Sequence, residues 1–175
     1  MADETKTPAL DLEQAAAQNG ADALEAAVEN AFFGTYAHSL DGKGRIIIPV
    51  GYRKALGEKF TIGPTRDFQG IALYPRKVWL QMLMDMQKLN QRKPVVQQYM
   101  NQFNKLSFPE AEADGQGRLL LPAKLRQRML GEERDVEIAG AFDHLRIVTS
   151  TKAEAEDDSF EENLSDILSV WGDLE

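Results

Sequence analysis

Along this 175-residue chain the spacing of apolar positions changes repeatedly, and each change marks an element. Over residues 35–40, Tyr36, His38 and Leu40 alternate with small residues, the two-residue period of a strand. Residues 46–48 are an unbroken aliphatic run that reads as a buried strand ended by Pro49. Tyr52 and Leu56 then stand four apart on the inner face of a short helix that Gly57 stops. Residues 59–62 and 71–74 read as two further short strands. The same order returns downstream: an aliphatic run at 119–121, Pro122, a helix through Leu125 and Met129 ended at Gly131, then strands at 135–138 and 145–149.

Between these two sets, Trp79, Met82, Leu83, Met86 and Leu89 form one helical stripe. Val96, Tyr99, Met100, Phe103 and Leu106 form a second, with Pro94 breaking the two apart. The stripes predict two helices linking the sets, their methionines packed on the body of the protein or on a neighbouring subunit rather than lining a binding groove. Ahead of Phe32, Leu10, Leu12, Leu24 and Val28 keep a weak helical spacing that Gly20 interrupts, as in a mobile arm or a frayed helix. After Ser150, the positions Phe160, Leu164, Ile167, Leu168 and Trp171 are again helical. Ser159 with Glu162 has the form of a capping box, predicting a short amphipathic helix near the end.

The two sets are one unit used twice. Asp41-Gly42-Lys43-Gly44-Arg45 returns as Asp114-Gly115-Gln116-Gly117-Arg118, and Pro49, Tyr52, Arg53 and Leu56 fall on Pro122, Leu125, Arg126 and Met129 at the same offset of 73 residues. Such self-similarity implies that each copy buries its apolar face against the other. Asp41 can accept N–H bonds across its turn, and the glycines can take the positive φ of short hairpin loops. Each half is therefore expected to be a β-hairpin, a short helix and a second strand pair. The chain divides into an acidic arm (1–31), repeat 1 (32–75), a helical linker (76–106), repeat 2 (107–150) and an acidic tail (151–175).

Charge changes the picture because it is segregated. The overall formal charge is −8, yet residues 31–150 hold 18 Lys and Arg against 12 Asp and Glu, while the two ends are strongly acidic. A partner docking on the body meets positive local potential, since fields are screened beyond ~8 Å at physiological salt. There is no cysteine, which excludes disulfides and thiolate chemistry. No apolar run approaches the roughly 18 residues of a membrane span, and the first residues are acidic, unlike a signal peptide. A soluble, cytoplasmic protein is expected, with no membrane partner.

Catalysis has little support. His38 and His144 are far apart and outside any ligand spacing, so neither metal nor cofactor is expected. Asp41 and Asp114 each have an Arg four residues on, which favours locking a turn over acid–base work. The glycine-containing turns lack the pattern of a phosphate loop. Nucleic-acid binding has a better physical case. Lys43, Arg45 and Arg118 lie in the turns, and Arg53, Lys54, Lys124, Arg126 and Arg128 lie on the short helices beside them. A protruding hairpin fits the DNA major groove, where an Arg fork takes guanine and lysines hold phosphates. Salt bridges that only fix the turns, Arg45 to Asp41 and Arg118 to Asp114, are an equal reading of the same residues.

Phe33-Gly34, Tyr36, His38, Leu40-Asp41, Lys43-Gly44-Arg45, Pro49, Tyr74-Pro75, Trp79, Asp114, Gly117-Arg118 and Arg126 together closely resemble MraZ, a family of bacterial transcriptional regulators of the division and cell-wall gene cluster. The resemblance covers about residues 32–150. It implies an α+β fold of two tandem AbrB-like hairpin-and-helix repeats interlocked into one small β-barrel, with connecting and flanking helices. It further implies a homo-oligomeric ring, nucleoid association and double-stranded DNA as partner, bound at repeated short promoter boxes. The DNA-reading residues it carries over are Asp41, Lys43, Arg45, Asp114 and Arg118. Gln116 departs from the pattern, standing where the first copy has Lys43, and the acidic arm and tail are additions to it. An oligomeric interaction scaffold that docks a protein partner through its acidic tail is the alternative.

Overall fold

The computed structural model describes residues 20–172. In chain order these form α1 (Ala21–Glu29), β1 (Thr35–Ser39), β2 (Arg45–Ile47), α2 (Val50–Leu56), β3 (Phe60–Pro64), β4 (Ile71–Pro75), α3 (Arg76–Gln87), α4 (Pro94–Lys105), β5 (Phe108–Ala111), β6 (Arg118–Leu120), α5 (Ala123–Leu130), β7 (Asp135–Gly140), β8 (Leu145–Thr149) and α6 (Ser150–Gly172). The fold is α+β. The expected strands and linking helices are present, each within a few residues of its expected bounds. The expectation of a mobile arm falls largely on residues 1–19, outside the described residues; its last part forms α1.

The two copies are joined through exchanged strands. Six strands make one antiparallel sheet in the order β1-β7-β8-β4-β3-β5, and β2 pairs with β6 as a separate two-stranded ribbon. Ile71 faces Ile147 and Leu73 faces Leu145 across the β4–β8 seam. These are the equivalent strands of the two copies, so a local two-fold relation runs through the middle of the sheet. On either side, β1 of the first copy pairs with β7 of the second, and β5 of the second pairs with β3 of the first.

Two expectations are corrected here. The chain does not fold each Gly-containing turn into a paired hairpin, because β1 and β2 take partners from the other copy. His38 bridges them instead, its Nε2 accepting the Ile47 N–H at 3.1 Å. The sheets also do not close into a barrel: β1 and β5 are the edges of the large sheet. The ribbon strands are three residues long and are followed, one residue on, by Pro49 and Pro122, which have no N–H to extend a ladder.

One core serves both copies. Phe32, Leu40, Ile46, Ile48, Tyr52 and Leu56 pack with Leu119, Leu121, Leu125, Leu130, Val136 and Ile138. Removing this apolar area from water stabilises the fold by about 25 cal/mol per Å². A second cluster, Ala72, Tyr74, Trp79, Met82, Met86 and Phe103, seats α3 and α4 on the sheet, as the stripe of methionines predicts.

The tail differs from expectation in where its helix starts. α6 runs unbroken from Ser150 to Gly172, with Thr149 Oγ1 accepting the Lys152 N–H at 3.2 Å, and Ser159 lies inside it. Residues 152–156 are Lys-Ala-Glu-Ala-Glu, strong helix formers that propagate the helix from its start at Ser150 and remove the need for a second one. Arg146 grips Glu156 with two bonds of 2.7 and 2.6 Å, and Ala153 is the buried residue of the helix.

Candidate nucleic-acid interface

Each turn is built around one carboxylate. Asp41 Oδ1 accepts the N–H groups of Lys43 and Arg45, both at 2.9 Å, while Arg45 Nε–H donates to Asp41 Oδ2 at 2.6 Å. The Asp41 N–H bonds to the Arg45 carbonyl at 3.0 Å, and the Gly44 N–H to the Asp41 carbonyl at 3.0 Å. The second turn repeats this: Gln116 and Arg118 donate their N–H groups to Asp114 Oδ1 at 2.9 Å, and Arg118 Nε–H reaches Oδ2 at 2.6 Å. Three bonds to one carboxylate, with the backbone bonds across the turn, explain why this sequence makes this loop.

These bonds set the electrostatics. The Arg45 N–H is the largest influence holding the Asp41 carboxyl down to about 2, with the Arg45 guanidinium and the Lys43 N–H adding to it. The Arg118 N–H and guanidinium lower Asp114 in the same way. Both ion pairs are exposed to a third or more, so they position side chains rather than supply stability. Because each pair uses only Nε, the terminal nitrogens of Arg45 and Arg118 have no hydrogen-bond partner among the described residues.

Each turn is also clamped by an arginine from the other copy. Gly117 has φ +77°, and the Arg53 guanidinium lies against it, donating to the Gln116 carbonyl at 3.1 Å while its Nε–H donates to the Ile48 carbonyl at 2.9 Å. Gly44, at φ +78°, is covered by the Arg126 guanidinium, which donates to the Lys43 carbonyl at 3.3 Å. Only glycine leaves room for such an approach and for the left-handed backbone.

The ribbon carries the two turns at its opposite ends. The bonds from Leu121 N–H to the Gly44 carbonyl and from Ile48 N–H to the Gly117 carbonyl fix its register, which places Arg45 across from Leu120 and Ile47 across from Arg118. Strand alternation sends Ile46, Ile48, Leu119 and Leu121 into the core and these four residues outward. The reading of 46–48 and 119–121 as wholly buried strands is therefore corrected: Ile47 is 44% exposed and Leu120 58%. Period-two alternation within each short run was the signal that could have found them.

The remaining candidates divide. Lys43 and Lys124 are exposed and make no ion pair among the described residues. Lys54 is exposed but bonded at 2.7 Å to Glu29 of α1, so the acidic arm already occupies one helix-borne cation. Arg128 turns away, toward Gln102 at 3.3 Å and over the Phe68 ring. The polar contacts of α6 are with Arg146, Gln69 and Glu133, and among the described residues it does not lie on the turn cations. His144 pairs with Asp143 at 2.6 Å, and among the described residues no group of three or more His, Cys, Asp or Glu is placed to hold a metal. Among the described residues no helix is long and apolar enough to cross a membrane.

A family model described as "MraZ protein, putative antitoxin-like" matches residues 31–102 and again 106–152. The first match spans the first copy with α3 and most of α4, and the second spans the second copy. Among curated relatives, "Transcriptional regulator MraZ" of Acetivibrio thermocellus is 35% identical over 137 residues, covering 77% of this chain and 90% of that protein. The protein of the same name from Lactiplantibacillus plantarum is 34% identical over 143 residues, covering 77% and 99% respectively. That of Lachnoclostridium phytofermentans is 30% identical over 142 residues, covering 81% and 97%.

Proposed function

We propose that this chain, which belongs to the MraZ family, is a transcriptional regulator that reads DNA through its two Asp-Arg turns. The carrying observation is the repeated lock: each aspartate holds its arginine by Nε alone and leaves the guanidinium's other donors unengaged. A guanidinium so pre-positioned can take guanine O6 and N7 with little further loss of side-chain freedom. Lys43 and Lys124, both exposed, would hold phosphates beside it, and Arg53 and Arg126 would serve the interface by fixing the turns. Lys54 and Arg128 join it only if their present partners release them.

The finer picture follows the resemblance. The strand exchange between copies supports an AbrB-like swapped-hairpin relationship. The protein would act in the cytoplasm on nucleoid DNA, at repeated short boxes upstream of the division and cell-wall cluster. As a homo-oligomer, ring-shaped by that resemblance, it would multiply weak turn contacts by avidity. An acidic helix with Phe160, Leu168 and Trp171 exposed favours a second activity, docking of a protein partner on α6.

The test is a gel-shift titration of the gene's own upstream region against a scrambled duplex. Wild type should prefer the native duplex, with log K falling by ~0.9 per neutralised phosphate against log salt. Arg45→Ala and Arg118→Ala should each weaken native binding by roughly 10- to 100-fold without changing assembly. Salt-independent binding, or full affinity in Arg45→Ala with assembly intact, would sink the proposal.

A further inference from the structure

The outward face of the β2–β6 ribbon is a checkerboard of two arginines and two aliphatics. Arg45 faces Leu120 and Ile47 faces Arg118. The flanking bonds at Gly44–Leu121 and Gly117–Ile48 make these the pairs without mutual hydrogen bonds, in which side chains approach most closely, about 4.5–5.5 Å between Cβ atoms. Along each strand, the arginine and the aliphatic are two residues apart, about 7 Å. That is close to two steps of a DNA strand at 3.4 Å each.

Nothing in the fold requires apolar side chains at these two outward positions, and both remain well exposed. They do not make a protein-sized interface either. Arginines stand at the other corners of the square, and four side chains cover far less than the roughly 1,000 Å² that a stable association buries. What a small aliphatic group beside an arginine fork does suit is the edge of a base pair in the major groove. There the thymine C5-methyl is the apolar feature and guanine O6 and N7 the polar one.

We propose that Ile47 and Leu120 are specificity-determining residues that bury thymine methyl groups beside the guanines taken by Arg45 and Arg118. This rests on the reading of the turns as a DNA interface and deepens it. One ribbon then reads mixed G and T sequence with the same four-residue face, its two-fold relation giving each copy one polar and one apolar contact.

The experiment separates the two claims by removing only the methyls. The upstream duplex is prepared with thymidine and, in parallel, with deoxyuridine in its place, and both are titrated alongside the scrambled duplex at one salt concentration. Burial of a methyl is worth about three- to fivefold in affinity, so wild type should bind the thymidine duplex roughly tenfold more tightly if two are covered. The double variant Ile47→Ser/Leu120→Ser should elute at the wild-type size, bind the thymidine duplex about as weakly as wild type binds the deoxyuridine one, and no longer distinguish them. Arg45→Ala should lose affinity yet retain a thymidine preference. Equal binding of both duplexes by wild type, or undiminished discrimination by the double variant, overturns the inference while leaving the interface standing. Failure of wild type to prefer either upstream duplex over the scrambled one overturns the DNA reading itself.

Discussion

Replacing Gly44 with alanine should expose how the turn is held. An alanine Cβ at this position would lie 1.3 Å from Arg126 Nη1 and 2.3 Å from its Cζ, so the guanidinium must leave. Its bond to the Lys43 carbonyl goes with it, a loss of about 1 kcal/mol. The backbone at φ +78° adds about 1–2 kcal/mol for any residue with a Cβ. The expected destabilisation is about 2–3 kcal/mol, read as a lower urea midpoint at unchanged slope in far-ultraviolet circular dichroism. Gly42 supplies the control, since nothing lies within 4 Å of its would-be Cβ and its φ is not in the left-handed region. Gly42→Ala should change stability by less than about 0.5 kcal/mol. In an Arg126→Ala background the collision is gone and Gly44→Ala should cost only the backbone part. Equal effects at Gly42 and Gly44, or strict additivity with Arg126→Ala, would refute the clamp.

Acid titration offers a second check. Asp41 sits at about 2 in the fold against an ordinary 3.8, and Asp114 is lowered too. A depressed carboxyl contributes stability that is fully present above its unfolded pKa and lost as pH falls through the folded one. The contribution should therefore fade between about pH 4 and pH 2, and Asp41→Asn should flatten that limb of a stability–pH curve; an unchanged limb would contradict the geometry. The tail gives another. Deleting 158–175 leaves Ala153 and the Arg146–Glu156 contact in place, so the urea midpoint should correspond to a change under about 0.5 kcal/mol, and a larger loss would mean that the distal helix packs on the body.

What was legible in the sequence was local. The Asp-x-x-x-Arg turns, the Pro and Gly boundaries of α2 and α5, and the buried pair Tyr52 and Leu56 all depend on residues within a few positions of one another. Partner choice between strands is not local. β1 and β2 flank a turn that is itself closed by Asp41 and Arg45, and spacing alone cannot say that the strands beyond it pair with β7 and β6 instead. The clamp was half visible: Arg53 and Arg126 recur at the repeat offset, as do Gly44 and Gly117, but only the exchange of strands puts each arginine over the other copy's glycine. Ile47 and Leu120 were obscured because a run of three aliphatics looks uniformly buried when its middle residue points outward.

The repeat is symmetric in plan and unequal in detail, and the inequalities oppose each other. The first turn has the extra cation, Lys43 against Gln116, but its clamp is the looser one, a single bond of 3.3 Å from Arg126. The second turn lacks that cation and is held by a bond of 3.1 Å from Arg53, a guanidinium that is itself anchored by a second bond of 2.9 Å to the Ile48 carbonyl. On the proposed reading, a positively charged and less tightly held loop gains from long-range attraction and can adjust to the backbone it meets. A neutral, firmly held loop gains from losing little freedom on binding. Arg45 and Arg118 would then contribute by different routes: Arg45→Ala should reduce the salt slope along with affinity, because the turn it holds also carries Lys43 and its phosphate contact, whereas Arg118→Ala should lower affinity at nearly constant salt slope. Identical salt slopes and identical losses for the two variants would mean that the turns, despite Lys43 and the unequal clamps, meet DNA in the same way.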